Sequence, residues 1–246
     1  YSSAASDVYK RQSLDSWDGL ISYLHGKKKY SLQILVEAGL AIGKDDHYYD
    51  RFRGRLMFPL RNHRGQVVGF SGRVLNPTEK DAKYINSPET SLYHKSEMLF
   101  GFSELYQQIR EKKEIVICEG EFDVISSAQA HVNHVAAVKG SVLTSEHVKL
   151  IGRVATRVVL ALDRDKAGIE ATKRAIKIAE GSGLELRVAN LEAVNKVNAN
   201  LKDPDDIARN EPQLWREAVK GSISVYEFLL TVAASHFDLA TPEGKR

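Results

Sequence analysis

The sequence has very little cysteine and no long apolar run. Cys118 is the single cysteine among 246 residues, so neither an internal disulfide framework nor a thiolate zinc site can form within this chain. Apolar runs such as Val158–Leu162 are far too short to cross a bilayer, and no charged-then-apolar secretory leader is visible. These absences indicate a reducing compartment, and we expect a cytoplasmic location.

Two glycine-rich nucleotide-binding patterns are also missing. The chain contains no G-x-x-x-x-G-K-[ST] loop and no G-x-G-x-x-G, so nothing in the sequence supports a P-loop ATPase or a dinucleotide-dependent enzyme. The composition is that of an ordinary globular protein, with 43% hydrophobic and 27% charged residues. A chain of this length can bury one large core or two to three modest ones.

Positive charge is concentrated in one segment, although the formal net charge is only +3. The segment from Arg51 to Arg73 contains six arginines and no acidic residue, whereas Ile115 to Asp206 is near neutral, with thirteen acidic and twelve basic residues. A basic segment beside one with focused carboxylates favours a polyanion track that leads to a cation site. The alternative is a solvated basic loop.

The amino-terminal part of the chain is predicted to be mixed α+β. Residues 1–12 match none of the patterns that follow, and we interpret them as a non-native leader on a fragment. Residues 13–44 predict short helices, the second of which ends at Gly43. We group residues 13–113 into one basic subdomain.

The rest of that subdomain is predicted to contain two strands and a helix. Residues 55–75 predict two strands around a turn at 62–65, where Asn-His-Arg-Gly interrupts the apolar pattern. Residues 82–90, "AKYINSPET", predict a polar loop, and a helix is expected near 102–112.

From residue 114 the pattern changes to alternating strands and helices. The predicted strands are 114–120, 134–140, 156–163 and 184–191. Such alternation favours an α/β fold with a parallel sheet and flanking helices, which we assign to residues 114–206. Residues 207–246 predict helices and the start of a helical subdomain.

Acidic residues follow three of these strands. Glu119 comes after "IVIC", Asp163 and Asp165 come after "VVLAL", and the "KDPDD" segment with Asp205 follows the fourth strand. Ligands of open parallel sheets lie at the carboxyl ends of the strands, which are about 4.8 Å apart, so these carboxylates can converge. Oxygen ligands without nearby histidine or cysteine select Mg²⁺ or Mn²⁺.

Each carboxylate also has a structural interpretation. Asp163 or Asp165 could cap the following helix, and Asp203 before a proline is a good N-cap. Glu119 could be a turn residue, and Asp123 falls in the first turn of a helix, where it favours the helix dipole. The occurrence of acids at three strand ends in order favours the metal site.

Other candidate ligands and a rival chemistry have less support. We expect His131 and His134 at the surface and Cys118 as a buried, unreactive thiol inside a strand. A phosphatase-like aspartate nucleophile is a rival for "LDRDKAG". Lys166 and Ala167 follow there, where a threonine is usual in that family, which disfavours this rival.

Long motifs across the chain resemble a known family. "EGEFDV", "LDRDKAG" and "DPDD", in this order, resemble the Toprim fold. Upstream, "YYDRFRGRLMFPLRNHRGQVVGFSGRVL" and "AKYINSPETSLYHKSEMLFG" are similar to the RNA polymerase core of bacterial DnaG-type primases. The resemblance covers roughly residues 17–246. It implies an enzyme that synthesises RNA primers for DNA replication from ribonucleoside triphosphates on a single-stranded DNA template.

The resemblance also implies roles for individual residues. It places catalytic ligands for two Mg²⁺ or Mn²⁺ ions at Glu119, Asp163 and Asp165, and we expect Asp205 to contribute as a metal ligand. The residues that we expect to contact template or nucleotide are Arg55, Arg61, Arg73, Lys83, Asn86 and Lys95. Of these, Arg73, Lys83, Asn86 and Lys95 are the contacts that the resemblance implies, and we add Arg55 and Arg61 from the arginine-rich segment.

The chain departs from the family pattern at one position of the site. Arg164 stands between the two aspartates, where the family commonly has glycine, which removes no ligand. We expect no zinc in this fragment, because a zinc module would need more cysteines, and we expect the helicase-binding module to be absent too. A monomer is expected. The alternatives are another Toprim enzyme, such as a nuclease or topoisomerase, and a non-catalytic fragment that binds single-stranded nucleic acid.

Overall fold

A computed structural model describes most of the chain in two compact units that divide between Glu104 and Leu105. The described residues are 11–75, 82–139, 143–163, 166–191, 194, 201 and 203–235. The helix Tyr106–Lys112, which we expected in the amino-terminal subdomain, belongs to the second unit. No helix among the described residues has both the length and the apolar character needed to cross a membrane.

The first unit is built on antiparallel strands. Its elements are β1 (Arg11–Gln12), α1 (Gly19–Ile21), a π-helical segment (Ser22–Lys27), α2 (Leu32–Glu37), β2 (Ala41–Lys44), β3 (His47–Asp50), β4 (Arg55–Arg61), β5 (Val67–Val74), β6 (Tyr84–Asn86) and a 3-10 turn (Lys95–Glu97). One sheet has the order β1-β4-β5-β6, and β2 and β3 form a separate hairpin. Arg11 and Gln12, which we set aside with the leader, thus pair with β4.

The hairpin predicted at residues 55–75 is confirmed. Strands β4 and β5 pair antiparallel around a turn in which the Gly65 N–H donates to the Asn62 carbonyl oxygen at 2.9 Å. Gly65 has φ +78°, a left-handed conformation that glycine adopts without a Cβ penalty. Phe58 and Leu60 of β4 are fully buried, and burial of each contributes about 1.5–3 kcal/mol.

Two predictions for the first unit are wrong. The second helix ends at Glu37 and does not reach Gly43. Gly39, two residues after the helix ends, has a left-handed φ of +68°. Gly43 instead lies within β2, whose pairing with β3 overrides the helical pattern. The polar loop at 82–90 contains β6, which adds to the exposed edge of β5.

The second unit has the predicted parallel sheet. Its elements are α3 (Tyr106–Lys112), β7 (Glu114–Cys118), α4 (Glu121–Gln129), β8 (Val135–Ala137), α5 (Ser145–Ile151), β9 (Arg157–Leu160), α6 (Lys166–Ala179), β10 (Glu185–Val188), α7 (Pro204–Asn210), α8 (Pro212–Lys220), β11 (Ile223–Ser224) and α9 (Val225–Ser235). The sheet order is β11-β10-β9-β7-β8. All neighbours are parallel except β11, which pairs antiparallel with β10.

The burial pattern explains why these strands were predictable. Ile115, Val116 and Ile117 of β7 are buried almost completely, as expected for a strand covered on both faces. Trp215 of α8 is fully buried as well. Strand β11 was not predicted, because two residues are too short to show any periodicity.

Candidate metal centre and basic residues

Two predicted metal ligands meet at the carboxyl ends of adjacent parallel strands. Glu119 follows β7 and Asp163 lies beyond the end of β9, the neighbouring strand. The Asp163 backbone N–H donates to Oε1 of Glu119 at 3.1 Å. The Glu119 carbonyl oxygen also accepts from the Lys139 N–H at 2.9 Å. The structure therefore ties Glu119 to the segments that follow both neighbouring strands.

A glycine allows the helix after Asp163 to begin close to that residue. A Cβ placed on Gly168 would overlap the Asp163 carbonyl oxygen, so any side chain there would collide with the backbone. Asp165, the second aspartate of the pair, lies outside the described residues, as does Arg164. Its role as a metal ligand stays a prediction.

Asp123 is a deeply buried carboxylate near these residues, with 7% of its surface exposed. Its Oδ2 accepts from the Gly120 N–H at 2.8 Å, and its Oδ1 accepts from the Asp205 N–H at 3.1 Å. The pKa of Asp123 is raised to about 7, mainly by burial and also by the charges of Asp163, Asp203 and Asp205, while the Gly120 hydrogen bond opposes the shift. The carboxylates are therefore close enough to repel one another.

The "DPDD" segment forms the start of α7. Asp203 is its N-cap, because the side chain accepts from the Asp206 N–H at 2.8 Å and Pro204 follows it in the first turn. The capping interpretation of Asp203 is thus confirmed. The Asp205 carboxylate accepts from the Ser126 hydroxyl and lies 3.6 Å from a guanidinium nitrogen of Arg209.

The donor chemistry of this cluster fits a hard divalent cation. Glu119 and Asp163 supply carboxylate oxygens, which Mg²⁺ and Mn²⁺ prefer, and a bound cation would offset the mutual repulsion of the acids. In the part of the chain that the structure describes, no three His, Cys, Asp or Glu side chains are grouped so that they could hold a metal ion. Asp165 lies outside that part of the chain.

A buried ion pair beside the cluster was not predicted. The Lys139 ammonium contacts the Glu121 carboxylate, and both side chains are almost completely buried. Lys139 also has a left-handed φ of +55°, which is uncommon for a residue with a long side chain. Cys118 is fully buried as expected, and burial, with the neighbouring acidic charges, raises its pKa well above the ordinary value.

The prediction for His134 is wrong, whereas His131 is exposed as expected. His134 is 5% exposed, and its Nε2 lies 3.2 Å from the Glu114 carboxylate and 3.1 Å from the Lys112 ammonium. The pKa of His134 is lowered to about 4, mainly by burial and also by the charge of Lys112, while Glu114 opposes the shift. This group lies at the opposite end of β7 from Glu119.

Two of the predicted DNA- or nucleotide-binding arginines hold the first unit together. The Arg55 guanidinium, which is buried, donates to the carbonyl oxygens of Gly72 and Ala82 at 3.4 and 2.8 Å. Arg61 donates to the Gly65 carbonyl oxygen at 2.7 Å and lies 3.5 Å from the Glu104 carboxylate. These contacts stabilise β4 and its turn.

The other predicted contacts lie on or near β5 and β6. Arg73 is positioned over the Tyr84 ring at 5.6 Å, and Lys83, next to Tyr84, is exposed. The Asn86 Oδ1 is buried without a hydrogen-bond partner among the described residues. Lys95 lies in the 3-10 turn, where its backbone N–H donates to Glu89 at 2.9 Å. The β5–β6 pairing thus brings Arg73 close to the Tyr84 segment.

An arginine-lined cavity of about 560 Å³ in the first unit was only partly anticipated. Arg51, Arg53 and Arg55 line it. Arg53 also stacks on the Trp17 ring at 4.1 Å and lies 5.3 Å from the Tyr49 ring. The run of arginines predicted a basic surface. No pattern in the sequence indicated that the rings of Trp17 and Tyr49, which lie 36 and 4 residues upstream, would contact Arg53.

Comparisons with known proteins agree with this architecture. The family described as "DNA primase catalytic core, N-terminal domain" matches residues 9–106, and the family described as "Toprim-like" matches residues 116–208. The catalytic core of Escherichia coli primase is 33% identical, with a TM-score of 0.78 over 95% of this chain and 73% of that chain. The chain belongs to the bacterial DnaG-type primase family.

Further relatives place the chain within the catalytic core of that family. A DNA primase of Listeria monocytogenes is 42% identical over 197 residues, which are 79% of this chain and 30% of that protein. The structure of a DnaG primase catalytic domain bound to single-stranded DNA is 32% identical, with a TM-score of 0.78 over 95% of this chain and 71% of that chain. The chain spans between 30% and 39% of the length of the first curated primases it matches.

Proposed function

We propose that the chain is the catalytic part of a DNA primase, which joins ribonucleotides on a single-stranded DNA template. The observation that carries the proposal is the contact between Glu119 and Asp163 at the ends of adjacent parallel strands. In this proposal Glu119, Asp163 and Asp165 hold the catalytic divalent metal ions, and Asp205 contributes to the same site. Family membership supports the reaction type.

Bound Mg²⁺ or Mn²⁺ would supply two kinds of chemistry, lowering the pKa of an attacking 3′-hydroxyl and stabilising the departing pyrophosphate. The chain's own contribution is to position the metal ions and to neutralise their charge. Asp163 and Glu119 present oxygen ligands from two strands whose relative position is fixed by backbone hydrogen bonds.

Basic side chains of the first unit would bind the phosphates of template or nucleotide. Lys83 is exposed and therefore available to a phosphate, and Lys95 is half-buried. We include Arg73 and Asn86 in this role, Arg73 because a guanidinium binds phosphate through two parallel hydrogen bonds. For Arg55 and Arg61 we propose a supporting role, because their guanidinium groups already bind backbone carbonyls.

The partners follow from the same proposal. A related DnaG catalytic domain has been solved bound to single-stranded DNA, which supports single-stranded DNA as the template here. Ribonucleoside triphosphates would be the substrates, and the replicative helicase a partner of the full-length protein. We further propose a monomer that acts in the cytoplasm.

Incorporation of a radiolabelled ribonucleotide on a single-stranded DNA template tests the proposal. We expect incorporation that requires Mg²⁺ or Mn²⁺, stops on addition of a chelator, and is lost in Glu119→Gln. The Escherichia coli catalytic core serves as a positive control in the same assay. The proposal fails if that control is active while this chain is not, or if Glu119→Gln incorporates as well as the unmodified chain.

A further inference from the structure

We propose that Asp123 is a positioning residue that holds the loop of Glu119 and the segment of Asp205 in a fixed relation, rather than a metal ligand. This inference rests on the proposed function, because it assigns Glu119 and Asp205 to the metal site. It adds a residue in the first turn of helix α4, the helix that follows Glu119.

Both oxygens of the Asp123 carboxylate are used by backbone amides of different segments. Oδ2 accepts from Gly120, the residue directly after Glu119, at 2.8 Å. Oδ1 accepts from the N–H of Asp205, which lies 82 positions further along the chain, at 3.1 Å. A carboxylate that accepts two amide hydrogen bonds is well fixed, and here one donor is the residue after Glu119 and the other is Asp205 in the first turn of α7.

Helix α4 makes a second contact with the same segment. Ser126, one turn after Asp123 and 3% exposed, donates its hydroxyl hydrogen to the Asp205 carboxylate. Asp123 therefore binds the backbone of Asp205, and Ser126 binds its side chain. Outer residues that orient metal ligands typically change metal affinity by 10–100-fold when they are replaced.

The position of Asp123 argues against direct metal ligation. The side chain is 7% exposed, and each of its two oxygens already accepts an amide hydrogen bond, so burial and these bonds leave it less open to a cation than Glu119. Glu119 differs from Asp123 in both respects. Its Oε1 accepts one amide hydrogen bond, and the residue is only half-buried.

Asp123→Asn tests the proposal, because asparagine keeps the volume but presents an NH₂ group to one of the two amide donors. We measure Mn²⁺ binding by electron paramagnetic resonance and amide hydrogen exchange at Gly120 and Asp205 by NMR. We expect the Mn²⁺ dissociation constant to rise at least about tenfold. Exchange of the Gly120 or Asp205 amide should become faster in the same variant.

Asp203→Asn is the matched control. It removes a carboxylate charge from the same cluster but keeps the N-cap of α7, because asparagine caps helices as well as aspartate. We expect its Mn²⁺ dissociation constant to change less than about threefold, because the loss of a more distant charge has only a small effect on metal affinity. An equal loss of affinity in both variants would mean that charge alone matters and would overturn the proposal.

Two further outcomes would also overturn it. Unchanged Mn²⁺ affinity with faster amide exchange would show that the bonds have only a structural role. Weaker Mn²⁺ binding with unchanged exchange would show that Asp123 acts directly on the metal. If circular dichroism shows that Asp123→Asn does not fold, Ser126→Ala replaces it, and unchanged Mn²⁺ affinity in that variant would count against the proposal.

The experiment separates this inference from the proposed function. Metal binding and amide exchange are measured without template or nucleotide, so they do not depend on primer synthesis. If the unmodified chain binds Mn²⁺ but incorporates no ribonucleotide beside an active control, the proposed function fails and the positioning role of Asp123 is still decided by its own outcomes.

Discussion

The backbone N–H of Asp163 donates to the Glu119 carboxylate at 3.1 Å, although the two residues are 44 positions apart in the sequence. The bond links the residues that follow β7 and β9, and it orients one oxygen of Glu119. Parallel pairing of the two strands creates this contact, because it brings their carboxyl ends to one edge of the sheet.

Glu119→Gln should abolish primer synthesis and preserve the fold. Glutamine keeps the oxygen that accepts the Asp163 N–H but loses the charge that binds a divalent cation. Loss of a metal ligand removes several kcal/mol of transition-state stabilisation, so we expect incorporation to fall at least about 100-fold. Incorporation assays with circular dichroism check this, and exposed Glu111→Gln is the control. Near-normal synthesis in a folded Glu119→Gln would exclude Glu119 as a ligand.

Asp163→Asn should stabilise the metal-free protein. Asp163 is one of three acids whose charges act on buried Asp123, so its neutralisation relieves repulsion when no cation is present. Relief of about 1 kcal/mol would raise the melting temperature by about 2–4 °C, and the added stabilisation by Mg²⁺ should shrink.

Thermal melts with and without Mg²⁺ measure both effects of Asp163→Asn. Asp46→Asn is a suitable control, because Asp46 lies in the β2–β3 turn with a left-handed φ of +63° that asparagine tolerates. A melting temperature that falls equally with and without Mg²⁺ would instead indicate that Asp163 acts only as a helix-capping residue.

The second unit was predictable from its sequence because its signal is local and repeated. Runs such as "IVIC" and "VVLAL" are apolar without alternation, which is typical of a parallel strand covered by helices on both faces. The acids that follow them predicted Glu119 and Asp163 at one edge of the sheet. In the first unit, Gly43 wrongly predicted the end of a helix, because the pairing of β2 with β3 determines the conformation there.

Contacts between distant segments could not be predicted from patterns. Asp123 was expected to favour the helix dipole, and nothing local indicated that its second oxygen would bind the Asp205 amide. The same holds for the buried pair of Lys139 and Glu121. Such contacts depend on how segments far apart in the chain pack, and a single sequence carries no direct record of that packing.

Arg55 and Lys83 should respond differently to replacement by alanine. Arg55 is buried and holds two carbonyl groups, so Arg55→Ala should destabilise the fold by about 1–3 kcal/mol. Exposed Lys83 should be replaceable without loss of stability. If Lys83 contacts a phosphate, Lys83→Ala should weaken single-stranded DNA binding for every sequence alike and lower the salt slope by about 0.7.

Denaturant unfolding measures the first effect, and fluorescence anisotropy with a labelled strand over a salt series measures the second. Arg73→Ala and Lys95→Ala complete the series. If Lys83→Ala, Arg73→Ala and Lys95→Ala all bind the strand with the affinity and salt slope of the unmodified chain, these side chains form only a solvated surface. A normal melting temperature in Arg55→Ala would contradict its supporting role.

His134 should make the folded state sensitive to acid. Its pKa is lowered to about 4 in the folded protein from an ordinary value of 6.5, because burial and Lys112 disfavour the charged ring. Between these values the unfolded chain binds a proton that the folded chain does not. Stability is therefore lost as the pH falls through this window, and the loss between pH 7 and pH 5 should be about 2 kcal/mol.

His134→Gln should remove this contribution, since glutamine does not titrate. Urea unfolding at pH 7 and pH 5 measures it, with exposed His131→Asn as a control that retains a residue suited to the left-handed φ of +64°. We expect the pH-dependent loss of stability to shrink in His134→Gln and to persist in His131→Asn. An unchanged pH dependence in His134→Gln would mean that His134 does not set the acid sensitivity of the fold.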